Sequence, residues 1–237
     1  MFTNSINRFL VRCFGVKISR SRPTFEQARS YIIKNADITF VIDGGANRGQ
    51  WASQIVREFS DLKMLSIEPI SEAFDDLSSN ASKCPNWTVL NVALSNLAGR
   101  AMINVANNGE QSSSLLKPDI HLKHYPTVGF TRTQETNLVT LDSLQVPENA
   151  RVYLKLDLQG HELSALKGGI ALLDRVRAVE LEMSTVQMYA EQATFLEVAN
   201  FLDRYGFKVF TFSDVFRSAE GQCIYFDVIF QKESNSA

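Results

Sequence analysis

The sequence predicts an α/β fold, a doubly wound and mostly parallel sheet of about seven strands. Three observations predict it. Short apolar runs rich in β-branched residues recur along the chain and have the character of strands covered on both faces. Segments with apolar residues at helical spacing separate them, the alternation expected of βαβ units. The chain's 237 residues and 45% hydrophobic content suffice for one such domain and its core, and exclude general disorder.

The first helix is expected to begin at Thr24, which has capping-box spacing to Gln27, and to end at Asn35. Ile38–Asp43 reads as the first strand, followed by a glycine-rich turn and a helix with Trp51, Ala52, Ile55, Val56 and Phe59 on one face. Met64–Glu68 is the second strand, and Ser71 is placed to cap the next helix. Trp87–Leu94 is the third. Residues 100–138 break the rhythm and are too long for a simple connection. They are expected to form a functional excursion, an acceptor wall or lid, flanked by short strands at Ala101–Val105 and Asn137–Leu141. Val152–Asp157 is the fourth strand, followed by a helix carrying Leu163, Leu166, Ile170 and Leu173. Ala178–Met183 is the fifth, and a helix opened by the capping box Thr194/Glu197 follows it. Phe207–Phe212 and Tyr225–Gln231 come with no helix between them, as an antiparallel hairpin at one edge would. Residues 1–36 are read as a basic leader and helix, and residues 37–233 as the main domain.

The net charge of −2 hides an asymmetry. Five basic residues (Arg8, Arg12, Lys17, Arg20, Arg22) precede the first acid, leaving 19 basic against 26 acidic residues, a net of −7, in the rest. An acidic body argues against a nucleic-acid partner. The leader reads as a frayed or docked helix, with weak peripheral attraction to anionic membranes as a further expectation. Cys13, Cys84 and Cys223 have neither zinc-site nor disulfide-framework spacing, so a reducing, cytoplasmic compartment is expected. No apolar run reaches the length of a spanning helix.

In an open α/β sheet, ligands sit outside the carboxyl ends of the strands at the switch point, and Asp43, Glu68 and Asp157 all fall at such ends. The turn Asp43-Gly44-Gly45-Ala46-Asn47-Arg48-Gly49 is expected to present free amides there. Gly45 allows close approach, Asn47 tolerates positive φ, and Gly49 opens the helix. Glu68 is placed to accept both ribose hydroxyls of a nucleoside. Asp43 would repel a pyrophosphate but suits a cationic ligand such as an amino group. The glycine pattern also departs from that of dinucleotide-binding folds.

The segment Asp43–Gln50 resembles motif I of S-adenosylmethionine-dependent methyltransferases, specifically the FkbM family. Ile67-Glu68-Pro69, Asn91–Leu94, Ser112–Leu115, Thr140–Leu144, Leu154–Glu162, Leu166–Gly169, Glu182–Ser184 with Tyr189, and Gly206-Phe207 resemble its later blocks in order, over residues 37–215. The resemblance implies a class I methyltransferase (Rossmann-like) fold with the last strand antiparallel, and methyl transfer from S-adenosylmethionine, most often to oxygen. It places Asp43, Gly45, Ala46, Asn47 and Gly49 along the methionine side of the cofactor, Glu68 with Pro69 at the ribose, and Ala93, with Ser95 nearby, at the adenine. Gln159 is a departure, standing where the family commonly has an acid.

Acceptor activation calls for a general base. Asp157, His161 and Glu182 are the candidates, with Glu162 read as a helix-start acid and Glu180 as a same-face competitor of Glu182. The acceptor expected is a hydroxyl on a sugar, lipid or other small molecule. A nitrogen acceptor and a non-catalytic cofactor-binding domain stay open. His121 and His124 lack the further ligands a metal needs, so no metal is expected. A divalent ion between Asp157 and Glu182 is the alternative.

Overall fold

The computed structural model describes residues 10–14, 22–119 and 127–233; the readings of His121, His124 and most of the leader lie outside these. The main sheet is built from β1 (Phe40–Gly44), β2 (Lys63–Ile67), β3 (Trp87–Leu90), β7 (Val152–Leu156), β8 (Val176–Ser184), β9 (Phe207–Phe212), β10 (Phe216–Arg217) and β11 (Cys223–Lys232). Its order is β3-β2-β1-β7-β8-β11, with β9 and β10 both on the outer edge of β11. The strands from β3 to β8 run parallel, and β11 runs antiparallel to β8 and β9. The expected hairpin therefore forms at one edge, with the final strand on its inner side. The sequence order reverses at β1, between β2 and β7, so the switch point lies at the carboxyl end of β1.

Helices α1 (Phe25–Asn35), α2 (Gln50–Glu58), α3 (Ser71–Ala81), α4 (Glu162–Lys167) and α5 (Phe195–Arg204) cover the faces. Two core clusters result. One joins β7 and β8 to α4 and α5, and the other joins α1, α2 and α3 to the sheet's opposite face. Both predicted capping boxes form, at Thr24/Gln27 and Thr194/Glu197. Helix α1 is bound into the fold by a buried network. The Arg29 guanidinium donates to both oxygens of Glu180 at 2.7 and 2.6 Å, and Tyr153 Oη donates to Glu180 at 2.6 Å.

Four local expectations change. It is Asp37 (φ 47°), not Asn35, that takes the left-handed conformation after α1. Asn35 instead donates its side-chain amide to the Tyr31 carbonyl. Ser71 does not cap α3: the amide of Ile70 is taken by the Glu68 carboxylate and that of Ser71 by Gln134. The predicted third strand splits, because Asn91 turns its amide onto the carbonyls of Glu68 and Pro69; only Trp87–Leu90 stays in the main sheet. The helix after β7 stops at Gly168, where an added Cβ would lie 2.3 Å from the Ser95 carbonyl oxygen. Ile170 is left exposed beyond it.

The excursion is a second, three-stranded sheet. Its strands are β4 (Ala93–Leu94), β5 (Gly99–Ala106) and β6 (Phe130–Val139), in the order β4-β6-β5. The flanking strands thus form, but β6 starts well before Asn137, and Leu141 belongs to a 3₁₀ turn. No helix among the described residues is long and apolar enough to cross a membrane.

Candidate active site

A cavity of about 460 Å³ opens at the carboxyl ends of β1, β2, β7 and β8. Its size lies within the range of small-molecule sites, about 300–1,000 Å³. The glycine-rich turn forms one side, and Glu68 and Pro69 lie at the end of β2. Val92 and Ala93 form an apolar wall, and Asp157 to Glu162 with Glu182 line the far half.

The turn does not offer the amides expected of it. The amides of Gly45 and Ala46 both donate to the Ile67 carbonyl at 3.0 Å, and that of Asn47 donates to Glu68 Oε2 at 2.8 Å. Gly45 is required for another reason. At φ +73° its backbone passes so close to β7 that a Cβ would lie 1.9 Å from the Asp157 carbonyl oxygen. Asn47 takes the positive φ predicted for it, 47°, and Gly49 opens α2 at φ 82°.

Glu68 receives one amide of the turn, that of Asn47, and one from beyond β2, that of Ile70. Its Oε2 accepts from Asn47 and its Oε1 from Ile70 N–H, both at 2.8 Å. Each oxygen keeps a second lone pair for a hydroxyl donor. Burial pushes its carboxyl up to about 7, against the pull of these two amides.

Asp43 is fully enclosed and does not line the cavity. Its Oδ1 lies 3.4 Å from Lys155 Nζ and its Oδ2 accepts from Ser66 Oγ at 3.2 Å. The reading that set this carboxylate against a ligand's amino group is therefore revised: its counter-charge is Lys155, from the neighbouring strand. Burial raises the Asp43 carboxyl, and Lys155 stays charged because Asp43, Asp157 and Glu180 outweigh its own burial.

Of the proposed bases, Asp157 and Glu182 come together and His161 stands apart. Gln159 Nε2 donates to Asp157 Oδ1 at 2.8 Å and to Glu182 Oε1 at 3.2 Å. That amide bridges the two carboxyl groups. Lys155 Nζ lies 3.7 Å from Asp157 Oδ2. Burial, then the charges of Asp157, Asp227 and Glu162, raise the Glu182 carboxyl well above its ordinary value. His161 Nε2 lies 3.1 Å from Ser95 Oγ, beside the Ala93 wall, and burial lowers its imidazole. Glu162 is more than a helix-start acid. It is buried, accepts the amides of Leu158 (2.8 Å) and Gly160 (3.2 Å), and burial pushes it up to about 7. Glu180 is removed from the candidates by its ion pair with Arg29.

The loop after β5 forms the roof. Asn47 Nδ2 and Arg48 Nη1 donate to the Gly109 carbonyl at 2.9 and 2.8 Å, and Arg48 pairs with Glu110 at 2.7 Å and with Asp76 at 2.8 Å. On the other side Ser114 Oγ donates to the Gln159 carbonyl at 2.7 Å. Sequence reasoning passed over Arg48, Lys155 and the bridging role of Gln159. A lysine in the middle of an otherwise apolar strand was the available signal for Lys155. Nothing in the spacing reveals that Arg48 reaches the excursion.

A family model for the methyltransferase FkbM domain matches residues 43–209. Among solved structures, methyltransferase FkbM from Methylobacillus flagellatus KT aligns with a TM-score of 0.53 at 14% identity, over 82% of this chain and 44% of that one. The chain thus spans less than half of that protein. The methyltransferase domain of METTL16 aligns with a TM-score of 0.50 at 12% identity, over 96% of this chain and 78% of that one. At such identities these likenesses show the fold, that of class I methyltransferases. No curated protein matches the sequence.

Proposed function

Because the chain belongs to the FkbM methyltransferase family, we propose that it transfers a methyl group from S-adenosylmethionine to a hydroxyl oxygen of a sugar, lipid or other small acceptor. One observation carries this reading: a single cavity joins Glu68, whose carboxylate has two lone pairs left for vicinal hydroxyls, to Asp157, a strand-end carboxylate at its other half. The residues fit the cofactor. Glu68 suits the ribose, Pro69, Val92 and Ala93 offer an apolar slot for the adenine, and Gly45, Ala46, Asn47 and Gly49 shape the turn along the methionine side. When bound, S-adenosylmethionine would supply a sulfonium methyl whose carbon can take an oxygen nucleophile, with the neutral thioether as the leaving group.

The protein's part is alignment and proton removal. Asp157 is the general base: it lines the cavity, its side chain is 31% exposed, and it receives the hydroxyl proton as the C–O bond forms. Glu182, raised above its ordinary range by burial and the acids around it, serves as a hydrogen-bonding wall. His161, held at Ser95, is assigned to the cofactor side.

The test is calorimetric titration with S-adenosylmethionine, followed by labelled methyl donor added to extracts of the source organism and identification of the labelled product. A labelled methyl ether supports the proposal. An N-methyl product would replace the hydroxyl acceptor, binding without transfer would favour the non-catalytic reading, and absence of binding would end it.

A further inference from the structure

Gln159 is the least expected residue of the site. Its backbone sits at φ +51°, a region costly for residues other than glycine. Gly160 follows at φ +95°. Two successive left-handed residues turn the chain sharply beyond the β7 end, and the Gln159 side chain lies across the ends of β7 and β8. There both ends of its side-chain amide and its main-chain carbonyl have partners. The two amide hydrogens suffice for Asp157 Oδ1 (2.8 Å) and Glu182 Oε1 (3.2 Å). The amide oxygen lies 2.8 Å from Tyr189 Oη, and the main-chain carbonyl accepts from Ser114 Oγ at 2.7 Å.

We infer that Gln159 is a positioning residue for methyl transfer: one neutral amide fixes Asp157, Glu182 and Tyr189 relative to one another and ties them to the roof loop. The inference rests on the reading of Asp157 as the base. The surroundings explain why an amide is suited to the task. The pair is faced by Lys155 from its own strand, Asp43 from β1, Glu180 from β8, Glu162 from α4, Asp227 from β11 and the Tyr189 hydroxyl. Lys155 already lies between Asp43 and Asp157. A carboxylate at position 159 would add a further negative charge and, when ionised, could donate to neither acid. Asparagine would keep the donor and accept the left-handed backbone, but it is one methylene short of the span.

Two variants test this in the full chain, Gln159→Glu and Gln159→Asn, assayed by transfer of labelled methyl to source-organism extract between pH 5 and 9. The expected result for Q159E is a partial rate relative to wild type that is highest at acid pH, where the introduced carboxyl's single O–H can still donate to one of the two acids. That ratio falls about tenfold per pH unit above the carboxyl's own pKa. Q159N is expected to lose at least tenfold in rate at every pH, with a Kd for S-adenosylmethionine within twofold of wild type. A flat Q159E ratio, a wild-type rate for Q159N, or loss of folding in both variants by circular dichroism would overturn the inference. Failure of the wild-type protein to bind S-adenosylmethionine would overturn the parent reading instead.

Discussion

Replacing Glu68 with Gln separates two jobs that its carboxylate performs. Within the fold it accepts two amides, from Asn47 and Ile70, on different oxygens. Gln offers one oxygen, so one buried N–H loses its acceptor at a cost of about 1–3 kcal/mol. Against this, the substitution removes a buried charge. Moving a carboxyl from its ordinary 4.5 to about 7 corresponds to roughly 3 kcal/mol of penalty on the ionised form. The two nearly cancel at pH 8, and E68Q should keep its thermal stability there. At pH 6 the folded wild-type carboxyl is largely neutral, the relief shrinks to about 2 kcal/mol, and the variant should lose about 1 kcal/mol against wild type between pH 8 and pH 6. Ligand binding has no such compensation. The remaining oxygen already serves an amide, so at least one charge-assisted bond to a ribose hydroxyl is lost, about 1.5–3 kcal/mol, or roughly ten- to two-hundredfold in Kd for S-adenosylmethionine. Wild-type affinity should also weaken as pH falls below about 7, when the carboxyl takes up a proton, while E68Q stays flat. Calorimetry at pH 6 and 8, with melting curves at the same pH values, checks both. An unchanged Kd in a folded E68Q protein would refute the assignment of Glu68 to the ribose.

Three further outcomes are expected. Gly45→Ala should cost more than about 3 kcal/mol in urea unfolding, since its Cβ would fall 1.9 Å from the Asp157 oxygen in a left-handed backbone; it reports on the fold and not on the ligand. Glu180→Gln should cost about 3–5 kcal/mol by the same measurement, because it leaves the buried Arg29 guanidinium without its counter-charge. Unfolding free energy should fall as pH rises from 5.5 to 8. Glu68 and Glu162 at about 7 and Asp227 at about 6 are raised by burial, so between their ordinary and folded values the native state binds more protons. The lowered carboxyls Glu26, Glu72 and Glu197 are ionised throughout that window and add no slope there, and the lowered His161 imidazole opposes the fall only up to about pH 6.5, where the three acids outnumber it. A flat or rising profile would contradict the burial of these three acids.

The sheet was legible because apolar runs and helical spacing report burial directly, and seven strand positions with two capping boxes follow from local pattern alone. The turn was legible as a motif but not in its working. Its amides are consumed by Ile67 and Glu68, residues on the next strand, and only the register of β1 on β2 shows this. Asp43 and Lys155 were misread or missed for the same reason. They are paired residues in the β1–β7 register, and that pairing is set by topology across more than a hundred residues of sequence. Glu180 and Glu182 were equivalent by periodicity. What distinguishes them is Arg29, delivered by a helix far upstream.

The strand β4 is only two residues long, yet it belongs to two structures at once. Ala93 lines the cavity, and the same residue pairs with Leu138 at the base of the β5–β6 hairpin. The hairpin's foot is therefore built into the cavity wall, whereas toward its tip, just beyond β5, Gly109 is held by the Asn47 and Arg48 side chains of the glycine-rich turn. Lengthening a loop at such a tip costs only about 0.6 kcal/mol per doubling. The residues the excursion presents to the cavity can thus vary in length and identity without disturbing the wall that Ala93 forms.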